Sequence, residues 1–129
     1  MYQALDIFFV VFHTSLVAFN LTGWIWEKTR RLHLLTILLT CLSWFGLGIF
    51  YGFGYCPSTD WHWQVKRKLG EVDLPASYVK YYLDMVTGLD WNPLVVDLTV
   101  AVLGTGALTI SAILNARDVR TRSVDRDAR

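Results

Sequence analysis

"LLTILLTCLSWFGLGIFYGFGYCPST", Leu34–Thr59, runs for 26 residues without one formally charged side chain. A water-soluble helix interrupts such a run with Lys or Glu on its wet face. About 20 apolar residues are enough to cross the hydrocarbon core of a bilayer. Two further runs share this property: Ile7–Trp26, 20 residues, and Leu98–Ala116, 19 residues. Of the 129 residues, 53% are hydrophobic and only 18% charged, and the mean hydropathy is +0.35. A soluble domain of this length needs more polar surface than that. The sequence therefore predicts an all-α, integral membrane three-helix bundle. It forms one domain over 1–129, with spans at about 4–26, 34–55 and 93–115.

Charge placement predicts the threading. The N-terminus lacks the basic leader and small-residue cleavage site of a signal peptide. Lys28, Arg30 and Arg31 follow the first span, and five more basic residues lie in the tail at 117–129, against four in the intervening segment at 56–92. Short basic loops stay cytoplasmic. The expectation is a multipass protein of the bacterial inner membrane, with its N-terminus and residues 56–92 outside and its C-terminus inside. Trp24 and Trp26 would then mark the inner boundary, and Tyr51, Tyr55, Trp61, Trp63 and Trp91 the outer one. Between spans two and three, two short interfacial helices are expected. "DWHWQVKRKLG" places Trp61, Val65 and Leu69 on one face, and "PASYVKYYLDMVTG" ends at Gly88. The tail extends the third helix by a turn or two and touches anionic lipid at most.

Ionisable groups inside spans are costly and are functional candidates by default. Asp6, His13 and Asn20 recur every seven residues and form one stripe facing the bundle. Asp97, Ala101, Gly104, Leu108, Ser111 and Asn115 form another. Span two brings His33 at its start, then Thr36, Thr40 and Ser43, and the pair Gly48 and Gly52, whose small-xxx-small spacing permits close helix approach. Such residues most often serve as packing glue. Cys41 and Cys56 lie about 22 Å apart along one helix and cannot bridge each other. His13 and His33 differ in depth by roughly 15–20 Å, so they cannot be the two axial ligands of one haem within a chain.

At the end of span two stand Cys56, Pro57, Thr59, Asp60 and His62. Asp60 and His62 are metal-ligating residue types, but no HExxH and no dense carboxylate set accompanies them, so neither a metal nor another cofactor is expected. Cys56 could act as a nucleophile with His62 as base. The plainer reading makes Pro57 the first residue of a helix and gives Ser58, Thr59 and Asp60 capping duties. No basic stripe interleaved with stacking aromatics is present, which excludes a nucleic-acid binder.

His13 in mid-span one, a short basic loop, His33 opening span two, Trp44 within it, and Cys56-Pro57-x-Thr59 followed by the acidic Asp60 together resemble a family of small bacterial membrane proteins carrying a domain of unknown function. The likeness runs from about His13 to Asn115. It implies three spans and an inner-membrane location and brings no activity with it. The leading functional expectation is a non-catalytic accessory or assembly partner. Its partners would be the lipid bilayer and another membrane protein or a second copy of itself, and the absence of a complete catalytic constellation leans against an enzyme. The rival is a membrane-embedded enzyme acting on lipid or envelope substrates at the outer face, using Asp60, His62 and Cys56, with His13 and Asp97 as a proton relay. A redox or haem-linked subunit is the third reading.

Overall fold

The computed structural model describes the backbone of residues 1–127 and side chains through Val124. Five helices and no strands occur among the described residues: α1 Tyr2–Thr22, α2 Arg30–Tyr51, α3 Pro57–Lys68, α4 Tyr78–Thr87 and α5 Pro93–Asp127. Helices α1, α2 and α5 are long and apolar enough to cross a membrane. Their boundaries shift from the expected spans. Helix α1 stops at Thr22, four residues before the end of its apolar run. Helix α2 begins at Arg30 and ends at Tyr51, not 55. Helix α5 carries the tail to Asp127, well beyond a turn or two, and residues 128 and 129 of the expected tail lie outside the described residues.

The turn between α1 and α2 is closed by side chains. Thr29 Oγ1 donates to the Gly23 carbonyl at 2.7 Å and Arg30 Nε to the Trp24 carbonyl at 3.2 Å. Gly23 is needed here for close approach, since a Cβ would lie 2.8 Å from Phe19 Cε2 and 2.9 Å from His33 Cδ2. Arg30 also pairs with Asp118 on α5, its guanidinium 3.0 Å from Oδ1. This basic end is the tight end of the bundle, where α2 packs on α5.

At the other end, α3 packs along α1 and α4 packs on α5. Of the face expected to lie on the headgroups, Trp61 is 59% exposed and Leu69 is exposed too, while Val65 joins Thr59, His62, Trp63 and Lys66 in the buried set. Trp63, expected as a boundary anchor, is a core residue whose Nε1 donates to the Pro75 carbonyl at 2.6 Å. Pro57 does open α3, but its N-cap is Cys56 and no side chain caps it. Helix α4 is capped by Ser77 and ends at Gly88 in the left-handed region, φ 69°, which glycine adopts without a Cβ penalty.

Burial is inverted relative to a soluble protein. The buried set includes His13, Asn20, His33, Thr59, His62, Lys66, Lys80 and Ser111, whereas Leu42, Ile49, Phe50, Val102 and many other large apolar residues are exposed. Lipid is as apolar as these side chains, so it is the polar groups that must find partners inside. Between Leu42 and Leu47, α2 is π-helical, a distortion that often marks functional sites. The Gly48/Gly52 pair makes no helix–helix seam. A Cβ on Gly48 would meet the Phe53 backbone of the same chain at 3.5 Å, and Gly52 already lies beyond the helix at φ 103°.

Candidate functional site

Three groupings of side chains organise the interior. The first, at the basic end, centres on His33, which is 0% exposed. Its Nε2 lies 2.9 Å from the Asn20 carbonyl, which can only accept, so the ring proton sits on Nε2. Nδ1 then accepts from Ser111 Oγ at 2.9 Å. Asn20 Nδ2 donates to Thr40 Oγ1, and Asn115 Nδ2 to the Arg30 and Ser111 carbonyls. With both ring nitrogens engaged, His33 has none left for a metal.

The second grouping joins α1 to α3. His62 Nε2 lies 2.7 Å from Asp6 Oδ1, and Lys66 Nζ lies 3.3 Å from the same oxygen and 2.9 Å from Glu71 Oε1. Tyr81 donates its hydroxyl to Glu71 Oε2 at 2.6 Å. His62 is therefore not the partner of Cys56. It is a buried neutral imidazole that donates from Nε2, and its Nδ1 has no hydrogen-bond partner. Burial pushes its pKa down, and the bond to Asp6 only partly opposes this. Lys66 is pushed down by burial too, but Glu71, Tyr81 and Asp6 outweigh that and raise it.

Because the folded pKa of His62 lies below the ordinary 6.5, its stabilising contribution is complete above that value and is lost as pH falls through the folded one. The groups facing it are Asp6 and His13 on α1, Lys66 on its own helix and Tyr78 on α4. The melting temperature is expected to fall between pH 7 and 5, with a shallower slope in His62→Gln. Cys56 titrates in the same range, so the slope shrinks without vanishing. A thermal-shift series in detergent measures it, and an unchanged slope in the variant rejects the assignment.

The third grouping surrounds His13 in the middle of α1. Its ring stacks on Tyr78 with centroids 3.9 Å apart and planes 10° apart. The Tyr78 hydroxyl donates to the Val10 carbonyl at 3.3 Å, so Thr14 Oγ1 donates to it at 3.0 Å. Ser58 Oγ lies 3.3 Å from His13 Nδ1 and 3.1 Å from Cys56 Sγ. Burial would raise the Cys56 thiol, but hydrogen bonds from His13, Ser58 and the Thr59 backbone N–H lower it to about 6. A sulfur at a helix N-terminus beside an imidazole is the setting in which thiolates form.

Beneath this grouping lies a cavity of about 390 Å³, within the usual size of ligand pockets. Leu16 and Val17 of α1, Ile37 and Trp44 of α2, Leu83 of α4 and Val96 of α5 are among its apolar walls. His13, Cys56, Thr59 and Tyr78 line one end. Asn20 and Thr40 line it about 10 Å further along α1, by the rise of 1.5 Å per residue. The Asn20 Oδ1 is buried without a partner.

Of the residues singled out from sequence, the structure thus brings Asp6 to His62, His13 to Cys56, and Asn20 to His33. Two stand apart. Asp60 turns to Gln64 Nε2 at 3.1 Å, and Asp97 is half-buried on α5, outside all three groupings, so the expected His13–Asp97 relay is not assembled. Ser58, Tyr78, Lys66 and Glu71 join the site without a signal in the sequence that marks them as participants. Only Ser77 and Pro75 ahead of α4 hint that Tyr78 begins a helix, and nothing local says what that helix covers. Among the described residues no group of three or more His, Cys, Asp or Glu side chains could hold a metal ion.

Three bilayer-length helices among the described residues, with polar networks turned inward and apolar side chains turned out, are compatible with the class of small multipass membrane proteins. Within that class, the chain belongs to the family described as Protein of Unknown function (DUF2784), whose profile matches residues 3–116. The match extends beyond the His13–Asn115 stretch that carries the motifs. Neither a curated protein nor a solved structure matches the chain.

Proposed function

We propose that this protein resides in the bacterial inner membrane, with the α3–α4 end outside, and that it binds the acyl chain of a membrane lipid between α1, α2, α4 and α5. The cavity carries this reading. Its walls belong largely to helices able to span the bilayer, so the medium beside it is hydrocarbon. Its lining is mainly apolar side chains of α1, α2, α4 and α5 with scattered polar groups, which suits a ligand with a long apolar body. The orientation rests on the excess of basic residues at 28–31 and in the tail.

Gly104 offers a direct test. It lines the cavity, and a Cβ there would meet nothing within 4 Å. The Cβ of Gly104→Phe therefore meets no clash and its ring has the cavity beside it, while replacing glycine inside a helix adds about 0.5 kcal/mol of helix propensity. The wild-type protein is expected to retain one phospholipid per chain through detergent exchange, seen by native mass spectrometry. Gly104→Phe is expected to reduce that retention at least tenfold with no fall in melting temperature. Equal retention by the two proteins would refute the proposal.

A further inference from the structure

His13 stands roughly 14 Å from the Thr22 end of α1 and roughly 16 Å from the Tyr2 end, at the middle of the span. Ser58 holds the start of α3 to it, with Thr59 the next residue on that helix. The hydroxyls of Thr40, Ser43, Tyr78, Thr99 and Thr105, which also line the cavity, are each tied to a backbone carbonyl. Two polar atoms at the His13 end are not. Thr59 is 5% exposed, and its Oγ1 makes no hydrogen bond among the described residues. The carbonyl four residues back, on Tyr55, accepts from Ser43 instead. His13 is 6% exposed, and Ser58 engages its Nδ1 while its Nε2 has no partner among the described residues. Neither atom is sealed off as the Asn20 Oδ1 is, and both residues border the cavity.

A phospholipid chain fills the apolar length of the cavity but leaves these two atoms unmatched. None of the described residues lining the cavity is Asp, Glu, Lys or Arg, and a charge at mid-bilayer is costly, so the group that meets them is uncharged. We propose that this end is built for a long-chain amphiphile whose head is one uncharged O–H group, a long-chain alcohol or a protonated fatty acid, an inference that rests on the lipid-binding reading. Such a head both donates and accepts, and so do a hydroxyl and an imidazole taken together. Either tautomer of His13 is matched. With Ser58 donating to Nδ1, the Nε2 proton goes to the head oxygen and Thr59 Oγ1 accepts the head proton. In the other tautomer Nε2 accepts and Thr59 donates. Both groups are then satisfied where no water competes, which is where an unmatched polar group costs most. The chain lies along Leu16, Val17 and Ile37 toward the Asn20 level.

The test uses the full chain in detergent with phosphatidylglycerol, titrated with hexadecanol, palmitic acid or methyl palmitate. Native mass spectrometry reads both the phospholipid displaced and the ligand bound. Methyl palmitate has the same length of chain and accepts hydrogen bonds, but it has none to donate. Hexadecanol, palmitic acid or both are expected to act at a concentration at least tenfold below that of the methyl ester, and which of them does so identifies the head. Thr59→Val removes a hydroxyl that has no partner in the protein, so its melting temperature should not fall, yet the preference should shrink to within twofold. His13→Phe keeps a ring against Tyr78 and should lose the preference too. A merely structural role for Thr59 would not move this ratio. Methyl palmitate acting as well as both others, or the full preference surviving in Thr59→Val, overturns the inference. Retained phosphatidylglycerol that none of the three displaces overturns the inference alone, whereas a chain that holds neither phospholipid nor any of the three loses the lipid-binding reading as well.

Discussion

Replacing His33 by alanine is expected to lower stability by about 3–5 kcal/mol, as read from unfolding in mixed micelles. The two hydrogen bonds made by the ring are not by themselves enough, because interhelical bonds in membranes average only about 0.6 kcal/mol. What decides the magnitude is what truncation leaves behind. The Asn20 carbonyl loses its donor and the Ser111 hydroxyl its acceptor, each in a place no water reaches. An imidazole-sized void opens next to Phe19, whose ring meets His33 edge-on at 5.8 Å. Ser111→Ala deletes the hydroxyl and leaves only the Nδ1 acceptor unmatched, so it should cost about 1–2 kcal/mol. A His33→Ala protein within about 1 kcal/mol of wild type, less than one stranded buried group costs, would mean that the buried triad does not hold the basic end together.

The spans were legible because lipid imposes a simple rule: about 20 residues without charge. The polar face of α1 was legible for a related reason. Asp6, His13 and Asn20 share a helix face by periodicity, and polar groups in hydrocarbon must turn inward. What covers that face was not legible. His62 and Cys56 are neighbours in sequence, which suggested a pair. In α3, however, Cys56 caps the helix and His62 lies six residues on, so each meets a different level of α1. The inner side of α3 was not legible either. Periodicity selects Trp61, Val65 and Leu69 as the apolar face for the headgroups and says nothing of what else the helix packs on. There Thr59, His62 and Lys66 turn inward, where polar groups find partners. The cavity was invisible for want of any local signature. It arises because α2 meets α5 at the basic end while its π-helical stretch, with Ser43 tied to the Tyr55 carbonyl, runs along an open space.

The ion cluster at the opposite end supplies the second large effect. Lys66→Met is expected to cost about 3 kcal/mol, because removing one partner of a buried pair strands the others. Lys66 is 4% exposed and stands between Asp6 and Glu71, with its Nζ 5.0 Å from the centre of the Tyr81 ring. Without it, two carboxylates that repel each other share one corner of the fold. Asp6 and Glu71 keep some access to solvent, which holds the loss at the lower end of the range for buried pairs. Asp6→Asn behaves differently, since the amide oxygen it introduces still accepts the His62 Nε2 proton. The double variant therefore removes opposite charges together and keeps the α1–α3 hydrogen bond. Its cost should fall short of the sum of the two single losses by at least about 1 kcal/mol, measured by a double-mutant cycle in detergent. Additive losses, within about 0.5 kcal/mol, would show that the Lys66 charge acts through Glu71 and the Tyr81 ring and not through Asp6.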